Sequence, residues 1–272
     1  MKNLKSANYL VISMECKICG NTSEIFHEGK ILNKYNINYF QCPSCGFVQT
    51  EEPYWLDESY DEAISLSDTG IMARNLAFSK LATIVIPMLL DKNGEFLDYG
   101  GGHGIFTRLM RDNGYNFYWY DKYAENLLAK GFEGELSNKR YNAITSFENF
   151  EHFENPIKEI EKIFNLTDFV LFSTDLVSVP APMTEKWWYY CLEHGQHVSL
   201  YSMKSLEYVA NKYKYNFLSN GTNIHIFSKR RVSKNIFTLA KMIKKLGLEN
   251  FFIRESKINT DMNEMIEKMK NP

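Results

Sequence analysis

The chain contains 272 residues, of which 44% are hydrophobic, 15% aromatic and 24% charged, and its formal net charge at pH 7 is −2. This composition excludes a mainly disordered or collagen-like chain and allows one large domain, or one domain and a small module. No segment approaches the roughly 18 consecutive apolar residues of a membrane-spanning helix, and residues 1–14 are too short and too polar for a signal peptide. We therefore expect no transmembrane segment and a cytoplasmic location.

Four of the five cysteines form two C-x-x-C pairs, Cys16 with Cys19 and Cys42 with Cys45. A glycine follows each pair and lets the chain curl so that backbone amides face the sulfurs. Two such pairs make a tetrahedral four-sulfur site that suits zinc, and we predict a small zinc ribbon over residues 1–52. Two disulfides or redox-active thiols are the alternative, which a cytoplasmic location disfavours.

After the ribbon, apolar residues recur at helical spacing between residues 62 and 90, which predicts one or two helices within a helical lead-in over residues 53–92. Strands and helices then alternate. We predict strands at residues 95–99, 116–120, 143–147, 169–173, 215–218 and 222–228, and helices at residues 105–113, 124–130, 156–164 and 202–213, the last with Ser202 as its N-cap. A Ser-Asn-Gly turn joins the last two strands into a hairpin. This pattern predicts an α/β fold, an open and mostly parallel sheet with helices on both faces.

A glycine-rich loop follows the first of these strands. Asp98, Gly100, Gly102 and Gly104 form a D-x-G-x-G-x-G pattern before a predicted helix. Such a loop lets the backbone approach a ligand at the carboxyl edge of the sheet, and the helix N-terminus adds amide donors. Asp121 ends the next strand, where a carboxylate can accept both hydroxyls of a ribose. The charge of Asp98 would repel a pyrophosphate and attract the cationic part of S-adenosylmethionine. A structural turn without a ligand is the alternative.

The glycine loop resembles the first motif of class I S-adenosylmethionine-dependent methyltransferases, and residues 146–152 resemble the E-x-x-E-H segment of that superfamily. With the ribbon, the aromatic residues 187–190 and the Glu-His-Gly-Gln-His segment at residues 193–197, the chain resembles zinc-ribbon methyltransferases of sugar and surface-polysaccharide pathways over residues 14–228. The resemblance implies a Rossmann-like domain over residues 93–230, with a mostly parallel seven-stranded sheet and a C-terminal hairpin. Sugar C-methyltransferases of this group carry a further C-terminal domain that this sequence lacks, so we expect O-methylation.

The resemblance also implies which residues bind the cofactor, S-adenosylmethionine. The glycine loop would line its methionine part, the end of the second strand would hold its ribose and adenine, and the segment after the third predicted strand would lie near its sulfonium. The glycine-loop residues are Asp98, Gly100, Gly101, Gly102, His103 and Gly104. Asp121 would hold the ribose, with Lys122 or Tyr123 beside the adenine. Phe147 and Glu148 would lie near the sulfonium.

An alcohol acceptor must lose its proton as it attacks the methyl group, and histidine suits this task at neutral pH. His194 and His197 follow the strand at residues 169–173, in a loop on the ligand side of the sheet. We expect His194 to be the base, with His197 second and His152 third, and Glu193 to orient one of them. Histidines with a surface or capping role are the alternative.

Aromatic residues supply the candidate acceptor site. Trp187, Trp188 and Tyr190 could stack on a sugar ring, and Tyr60 could reach the same pocket. A lid that only packs on the core is the alternative for the aromatic cluster.

The C-terminal tail differs in charge from the rest of the chain. Residues 229–272 contain 11 Lys and Arg against 5 Asp and Glu. This basic tail, which we predict to be helical over residues 231–272, could face an anionic substrate or an acidic membrane. The alternative is a helix that packs its apolar side on the body of the protein or on a second subunit, as in a homodimer.

The leading hypothesis is therefore an S-adenosylmethionine-dependent O-methyltransferase acting on a sugar, a nucleotide-sugar or a capsular polysaccharide precursor, or on a modified phosphoryl group of such a precursor. An RNA or DNA methyltransferase that grips nucleic acid through the ribbon is a second hypothesis, which the acidic body and the few basic residues of the ribbon disfavour. A third is a non-catalytic zinc-ribbon binding module, against which the intact Asp98 and Asp121 argue.

Overall fold

The computed structural model describes residues 13–60 and 67–271. Parts of the predicted ribbon and of the predicted helical lead-in, residues 1–12 and 61–66, lie outside the described residues. The strands are β1 (Ser13–Glu15), β2 (Thr22–Ile31), β3 (Tyr35–Gln41), β4 (Val48–Thr50), β5 (Glu95–Tyr99), β6 (Asn116–Tyr120), β7 (Ala143–Ser146), β8 (Phe169–Ser173), β9 (Ser199–Leu200), β10 (Asn216–Ser219) and β11 (Ile224–Ser228). The helices are α1 (Leu56–Ser59), α2 (Ile71–Leu89), α3 (Ile105–Asp112), α4 (Pro156–Leu166), α5 (Met203–Tyr213), α6 (Ile236–Lys245) and α7 (Ile258–Lys270).

The strands form two sheets. The larger sheet has the order β10-β11-β8-β7-β5-β6, with β6, β5, β7 and β8 parallel and β11 antiparallel to both of its neighbours. Strands β7 and β8 are buried along their whole length, as expected for parallel strands covered on both faces. This is the α/β, Rossmann-like architecture predicted from the sequence, with the antiparallel hairpin at one end.

Helices cover both faces of this sheet because neighbouring strand residues point in opposite directions. Phe172 packs in one buried cluster with residues of α4 and α5, while Leu171 packs in another with residues of α2, α3 and α6. Ser202 caps α5 as predicted, since its hydroxyl accepts a hydrogen bond from the Ser205 amide at 3.1 Å.

The sheet has six strands among the described residues rather than the predicted seven. A single parallel bridge between Trp119 and Glu133 is found where a further strand would pair with β6. The chain between β6 and β7 is therefore too irregular to complete another strand–helix unit.

The helix predicted at residues 124–130 is also absent, and this segment forms turns and bends. The Asp121 carboxylate accepts hydrogen bonds from the amides of Tyr123 and Ala124, at 2.7 and 2.8 Å. Such side-chain bonds offer the amides an alternative to helical bonding. The prediction was wrong because apolar spacing does not reveal this competition.

The smaller sheet is antiparallel, with the order β1-β2-β3-β4-β9. Its last strand, β9, comes from the middle of the larger domain and pairs with the ribbon strand β4. The ribbon residue Phe47 also packs on Tyr201, with ring centroids 5.2 Å apart, within a cluster that includes Phe150 and Phe172. The ribbon therefore shares a hydrophobic core with the larger sheet.

The basic tail packs on the body, as one of the two sequence readings proposed. In α6, Ile236 and Ala240 are buried against residues of α2. In α7, the Asp261 carboxylate accepts two hydrogen bonds from the Arg111 guanidinium, at 2.8 and 2.6 Å. The Arg111 guanidinium in turn lies 3.4 Å from the centre of the Phe132 ring.

Among the described residues, α2 is the one helix long and apolar enough to cross a membrane by length and composition. Its residues 82–86 are buried in the cluster that also contains residues of α3 and α6. A core helix of a folded domain meets the same length and composition criteria.

Candidate active site

A cavity of about 680 Å³ lies at the carboxyl ends of β5, β6 and β7. It brings together most of the site residues predicted from the sequence. Its wall includes Tyr60, Asp98, Gly100, Gly101, Gly102, His103, Asp121, Lys122, Tyr123, Phe147, Glu148, His152, Trp187, Trp188, Glu193, His194 and His197. The glycine loop and the candidate catalytic histidines therefore open onto one space.

The glycine loop is held against β6 by its backbone. The amides of Gly100 and Gly101 both donate to the Tyr120 carbonyl, at 2.8 and 3.0 Å. The indole Nε1 of Trp119 donates to the Gly102 carbonyl at 2.8 Å. These bonds fix the loop at the point where the first two parallel strands end.

Two glycines of the loop have different roles. Gly102 lies on the cavity wall with φ +51°, and a Cβ built on it would meet no heavy atom within 4 Å. Gly104 is absent from the wall; it begins α3 with φ +87°, and a Cβ there would lie 3.1 Å from the Ala129 backbone nitrogen. Gly102 thus borders open space, whereas Gly104, predicted to bind the cofactor, serves the turn itself.

Asp121 joins the glycine loop to the segment that follows β6. Its Oδ2 accepts a hydrogen bond from the Gly102 amide at 2.9 Å, while its Oδ1 accepts the amides of Tyr123 and Ala124. A carboxylate offers about four acceptor positions, so three such bonds leave capacity for a ligand hydroxyl.

A row of aromatic and polar side chains in mutual contact lies on the cavity wall. The Tyr123 ring stacks on Tyr60, with centroids 4.5 Å apart and planes at 7°, and Lys122 Nζ donates to the Tyr123 hydroxyl at 2.7 Å. The Tyr60 hydroxyl is hydrogen-bonded to His152 Nδ1 at 3.2 Å. Tyr60, which follows α1, thereby links the predicted adenine side of the cavity to the histidines.

Asp98 is buried below the glycine loop, with 2% of its surface exposed. Its carboxylate accepts hydrogen bonds from the hydroxyls of Thr107 and Thr145, at 3.0 and 3.1 Å. Burial raises the pKa of Asp98 to about 7, and the nearby Asp121 carboxylate adds to the rise, although both threonine bonds oppose it.

The residues after β7 are held in place by packing and hydrogen bonding. Phe147 stacks on Phe78 of α2, with centroids 4.3 Å apart. Glu148 has a positive φ of +51°, and its amide donates to the Ser173 hydroxyl at 2.7 Å. That hydroxyl donates to Glu148 Oε1 at 2.5 Å. Burial raises the pKa of Glu148.

The three candidate histidines occupy different environments. His197 Nδ1 donates to the Tyr189 carbonyl at 2.7 Å, and the His197 ring lies edge-on to His152 with centroids 4.9 Å apart. Burial lowers the pKa of His152 to about 4 and the pKa of His197 well below its ordinary value, so both imidazoles are neutral at pH 7. His194 lies on the cavity wall, where its Nε2 is hydrogen-bonded to the Ser67 hydroxyl.

Glu151 also reaches the cavity wall, beside His152 and His197. Its side chain is buried, and neither carboxylate oxygen has a hydrogen-bond partner among the described residues. Burial and the neighbouring Glu148 carboxylate raise the pKa of Glu151 to about 8, although the nearby hydroxyls of Tyr189 and Thr174 oppose the rise. The sequence marked Glu151 only as part of the E-x-x-E-H segment, and the structure shows a short 3-10 turn at Phe150–His152.

The histidine loop, residues 193–197, is fixed by contacts with α1 and with the residue before it. The Trp55 indole donates to the Gly195 carbonyl at 2.7 Å, and the Gln196 side-chain amide donates to the Ser59 carbonyl at 2.6 Å. Gly195 has φ +66°, and a Cβ there would lie 3.0 Å from Ser59 Oγ. Glycine is therefore required where the loop meets α1.

Like Gly104, one candidate for the acceptor site is placed differently from expectation. Tyr190 is fully buried, is absent from the cavity wall and donates its hydroxyl to the Pro182 carbonyl at 2.7 Å, so it supports the aromatic cluster from behind. Glu193 is exposed, and within the described part of the chain no hydrogen bond joins it to His197. Trp188, at 70% exposure, stands at the cavity mouth.

Several side chains that shape the site carried no sequence signal. Thr107 and Thr145 donate hydrogen bonds to Asp98. They interrupt the apolar pattern of a helix and a strand, and nothing else in the sequence marks them as site residues. On the cavity wall, Arg74 donates to both carboxylate oxygens of Asp68, at 2.7 and 2.8 Å. Asn149 approaches Gly100 so closely that a Cβ on Gly100 would lie 2.4 Å from the side-chain Nδ2 of Asn149.

The four predicted metal ligands form a second cluster, away from the cavity. All five cysteines are free thiols, so the disulfide alternative is wrong. The sulfurs of Cys16 and Cys45 lie 3.6 Å apart and those of Cys19 and Cys42 lie 3.5 Å apart, and all four lie within 4.8 Å of one another. A tetrahedral zinc with bonds of about 2.3 Å would separate its sulfurs by about 3.8 Å. The four thiols therefore fit such an ion.

Comparison with known proteins gives the following matches. A family model described as a methyltransferase domain matches residues 72–220. No curated protein matches the chain. Among solved structures, the chain is similar to the magnesium protoporphyrin IX methyltransferase of Synechocystis PCC 6803 with bound SAH, at 15% identity and a TM-score of 0.45, over 64% of this chain and 92% of that chain.

Two further solved structures are similar at the same level. One is an SAM-dependent methyltransferase of Thermotoga maritima, described as a possible histamine N-methyltransferase, at 9% identity and a TM-score of 0.41, over 59% of this chain and 92% of that chain. The other is the mitomycin 7-O-methyltransferase MmcR, at 11% identity and a TM-score of 0.43, over 64% of this chain and 60% of that chain.

The family match covers more than half of the 272 residues and includes the glycine loop, the strand ends that form the cavity and the histidine loop. The chain therefore belongs to the methyltransferase domain family, and its larger sheet has a Rossmann-like architecture.

Proposed function

We propose that this methyltransferase methylates a hydroxyl group of a small polyhydroxylated acceptor, a sugar or a capsular polysaccharide precursor. The observation that carries the proposal is the single continuous cavity that contains both the glycine loop and His194, with Trp187 and Trp188 on the same wall. A donor at the loop and an acceptor against the tryptophans would then meet beside a histidine. Indole rings stack well on the apolar face of a sugar, which supports this class of acceptor.

At the donor end, Gly102 and its neighbours would hold the methionine part, and Asp121 would bind a ribose hydroxyl through its remaining acceptor position. Asp98, below the loop, supplies a negative charge for the cationic donor. S-adenosylmethionine supplies a methyl carbon bonded to a positively charged sulfur. The chain's own task is to align an acceptor oxygen with that carbon and to exclude water.

The charge of the cavity wall bears on the acceptor. The wall contains nine Asp and Glu and two basic residues, Arg74 and Lys122, and Arg74 is paired with Asp68. This excess of negative charge repels a phosphate placed inside the cavity. It supports a neutral acceptor over nucleic acid, and a nucleotide-sugar would have to keep its diphosphate outside.

His194 is our candidate base. In the proposed step, the acceptor hydroxyl oxygen forms a bond to the methyl carbon, the carbon–sulfur electron pair stays on sulfur as a neutral thioether, and the hydroxyl proton passes to His194. The wall position of His194 and its hydrogen bond to the Ser67 hydroxyl place an imidazole nitrogen at the cavity surface. Burial lowers the pKa of His152 and of His197, which disfavours either of them as the group that takes the proton.

The acceptor class is tested by incubating the purified enzyme with methyl-labelled S-adenosylmethionine and a panel of neutral sugars, nucleotide-sugars and RNA. We expect label on a neutral sugar hydroxyl. We further expect His194→Ala to lower turnover by about 100-fold or more while leaving the dissociation constant for S-adenosylmethionine unchanged. Transfer to RNA alone, or full turnover by the variant, would contradict the acceptor class or the base, respectively.

The donor site is tested by Gly102→Ala, with Gly247→Ala as the matched control. Both glycines have positive φ, +51° and +66°, and neither Cβ would meet a heavy atom within 4 Å, so each change costs about 1–2 kcal/mol of backbone strain. We expect only Gly102→Ala to weaken S-adenosylmethionine binding, by about 10-fold or more, because its methyl group enters the cavity. Equal affinities in calorimetry for the two variants would show that this space does not hold the donor.

Asp98 predicts a pH dependence of donor binding. Its free-enzyme pKa of about 7 is raised above the usual value, and a cationic ligand favours the ionised form. Affinity for S-adenosylmethionine should therefore rise from pH 5.5 to pH 7, by up to about tenfold per pH unit, and level off above. Asp98→Asn should bind more weakly and without this slope. A wild-type affinity that is flat over this range would contradict the assignment.

We also propose that Cys16, Cys19, Cys42 and Cys45 hold one structural zinc ion. A ribbon of this size cannot bury a large core by itself, so the metal would add folding free energy to that of the core it shares with the larger sheet. In cobalt-substituted protein we expect a sulfur-to-cobalt charge-transfer band that Cys45→Ser removes, together with loss of the ribbon's protection from protease. Cys191→Ser, at the cysteine outside the cluster, should keep both. A band that survives Cys45→Ser would refute the site.

A further inference from the structure

We propose that Glu151, His152 and His197 form a second metal site that binds one divalent transition-metal ion at the cavity wall. One carboxylate oxygen of Glu151 and one nitrogen from each imidazole lie within 4.8 Å of one another. Metal–ligand bonds of about 2.1 Å require donor separations of about 3.4 Å, so side-chain shifts of about 1 Å would close the site. This cluster shares no residue with the four cysteines.

The strongest support for this metal site comes from the burial and the hydrogen bonding of Glu151. Its side chain is 0% exposed, and within the described part of the chain neither carboxylate oxygen makes a hydrogen bond of ordinary geometry. The hydroxyls of Tyr189 and Thr174 lie near enough to oppose the rise of its pKa but do not reach that geometry. A buried carboxyl group without a well-formed hydrogen bond is costly and rare in folded proteins. The neighbouring Glu148 adds further negative charge to the same region. A bound divalent cation would remove this cost, and no positively charged side chain in the described residues pairs with Glu151.

His197 is oriented as metal-binding histidines usually are, whereas His152 would exchange either its hydrogen bond to Tyr60 or that to the Gln196 backbone for a metal bond. His197 donates Nδ1–H to the Tyr189 carbonyl at 2.7 Å, which leaves the Nε2 lone pair available for a ligand bond. The His152 ring is held edge-on to it, at a centroid distance of 4.9 Å. The two ligand segments are also joined through the backbone, since the Val198 amide donates to the Glu151 carbonyl at 2.9 Å. The backbone segments that carry the donors are therefore held together before any ion binds.

The donor set indicates the kind of ion. Two imidazoles and one carboxylate suit zinc, manganese, iron(II), cobalt or nickel, and three protein ligands leave an open coordination position. Because all three side chains lie on the cavity wall, that position can take an acceptor hydroxyl and lower its pKa. This catalytic role rests on the proposed methylation of a hydroxyl group, whereas metal binding itself does not.

The test titrates cobalt(II) into the full-length protein whose cysteine cluster is already loaded with zinc, without S-adenosylmethionine or acceptor. We expect one further cobalt per chain, with no sulfur-to-cobalt charge-transfer band. Glu151→Gln and His197→Gln should each weaken this binding by about 10-fold or more. His225→Gln is the matched control, because His225 is a buried imidazole whose two nitrogens are hydrogen-bonded to Ser219 and Thr174. The His225→Gln variant should bind cobalt as the wild type does.

A second measurement needs no substitution. In the folded wild-type protein, substoichiometric manganese(II) should broaden the side-chain NMR signals of His152 and His197 and leave those of His225 sharp. Absence of a further cobalt ion, broadening spread equally over all histidines, or unchanged affinity in both folded variants would overturn the proposal. Because binding is read without turnover, failure of the proposed methylation would leave these results unaffected.

Discussion

The position of the part of the cavity wall that carries His197 depends on the pairing of β9 with β4. This pairing consists of two residue pairs, Val48 with Leu200 and Gln49 with Ser199. So short a strand would not hold alone, but the Ser202 hydroxyl donates to the Cys45 carbonyl at 2.6 Å immediately after it. The ribbon is thus attached both to β9 and to the cap of α5. His197 lies two residues before β9, so whatever stabilises the four-cysteine ribbon also fixes that imidazole.

A second constraint is the burial of carboxylates around a single cavity. Asp98 is held by the hydroxyls of Thr107 and Thr145, and Glu148 by Ser173, whereas Glu151 makes no hydrogen bond of ordinary geometry in the described structure. Burial raises the pKa of all three carboxyl groups. A positively charged ligand favours their ionised form, and a sulfonium donor and a divalent cation are both such ligands.

The sequence revealed what depends on short, local patterns. The C-x-x-C spacing identified the cysteine cluster, and the strands that flank Asp98 and Asp121 could be placed because buried parallel strands are continuous apolar runs. The two-residue strand β9 has no periodicity to detect, so its union with the ribbon was not predicted. The depth of Glu151 was equally hidden, because its burial comes from residues distant in sequence that pack around it.

The missing strand–helix unit after β6 has a consequence for the two ends of the cavity. In its place, the Asp121 carboxylate accepts a hydrogen bond from the Tyr123 amide and holds the following segment in a turn. Tyr123 stacks on Tyr60, which follows α1. The Tyr60 hydroxyl then meets His152, whose ring lies against His197. These contacts run through four side chains, from Tyr123 to His197, and a regular helix at residues 124–130 would not have placed Tyr123 against Tyr60.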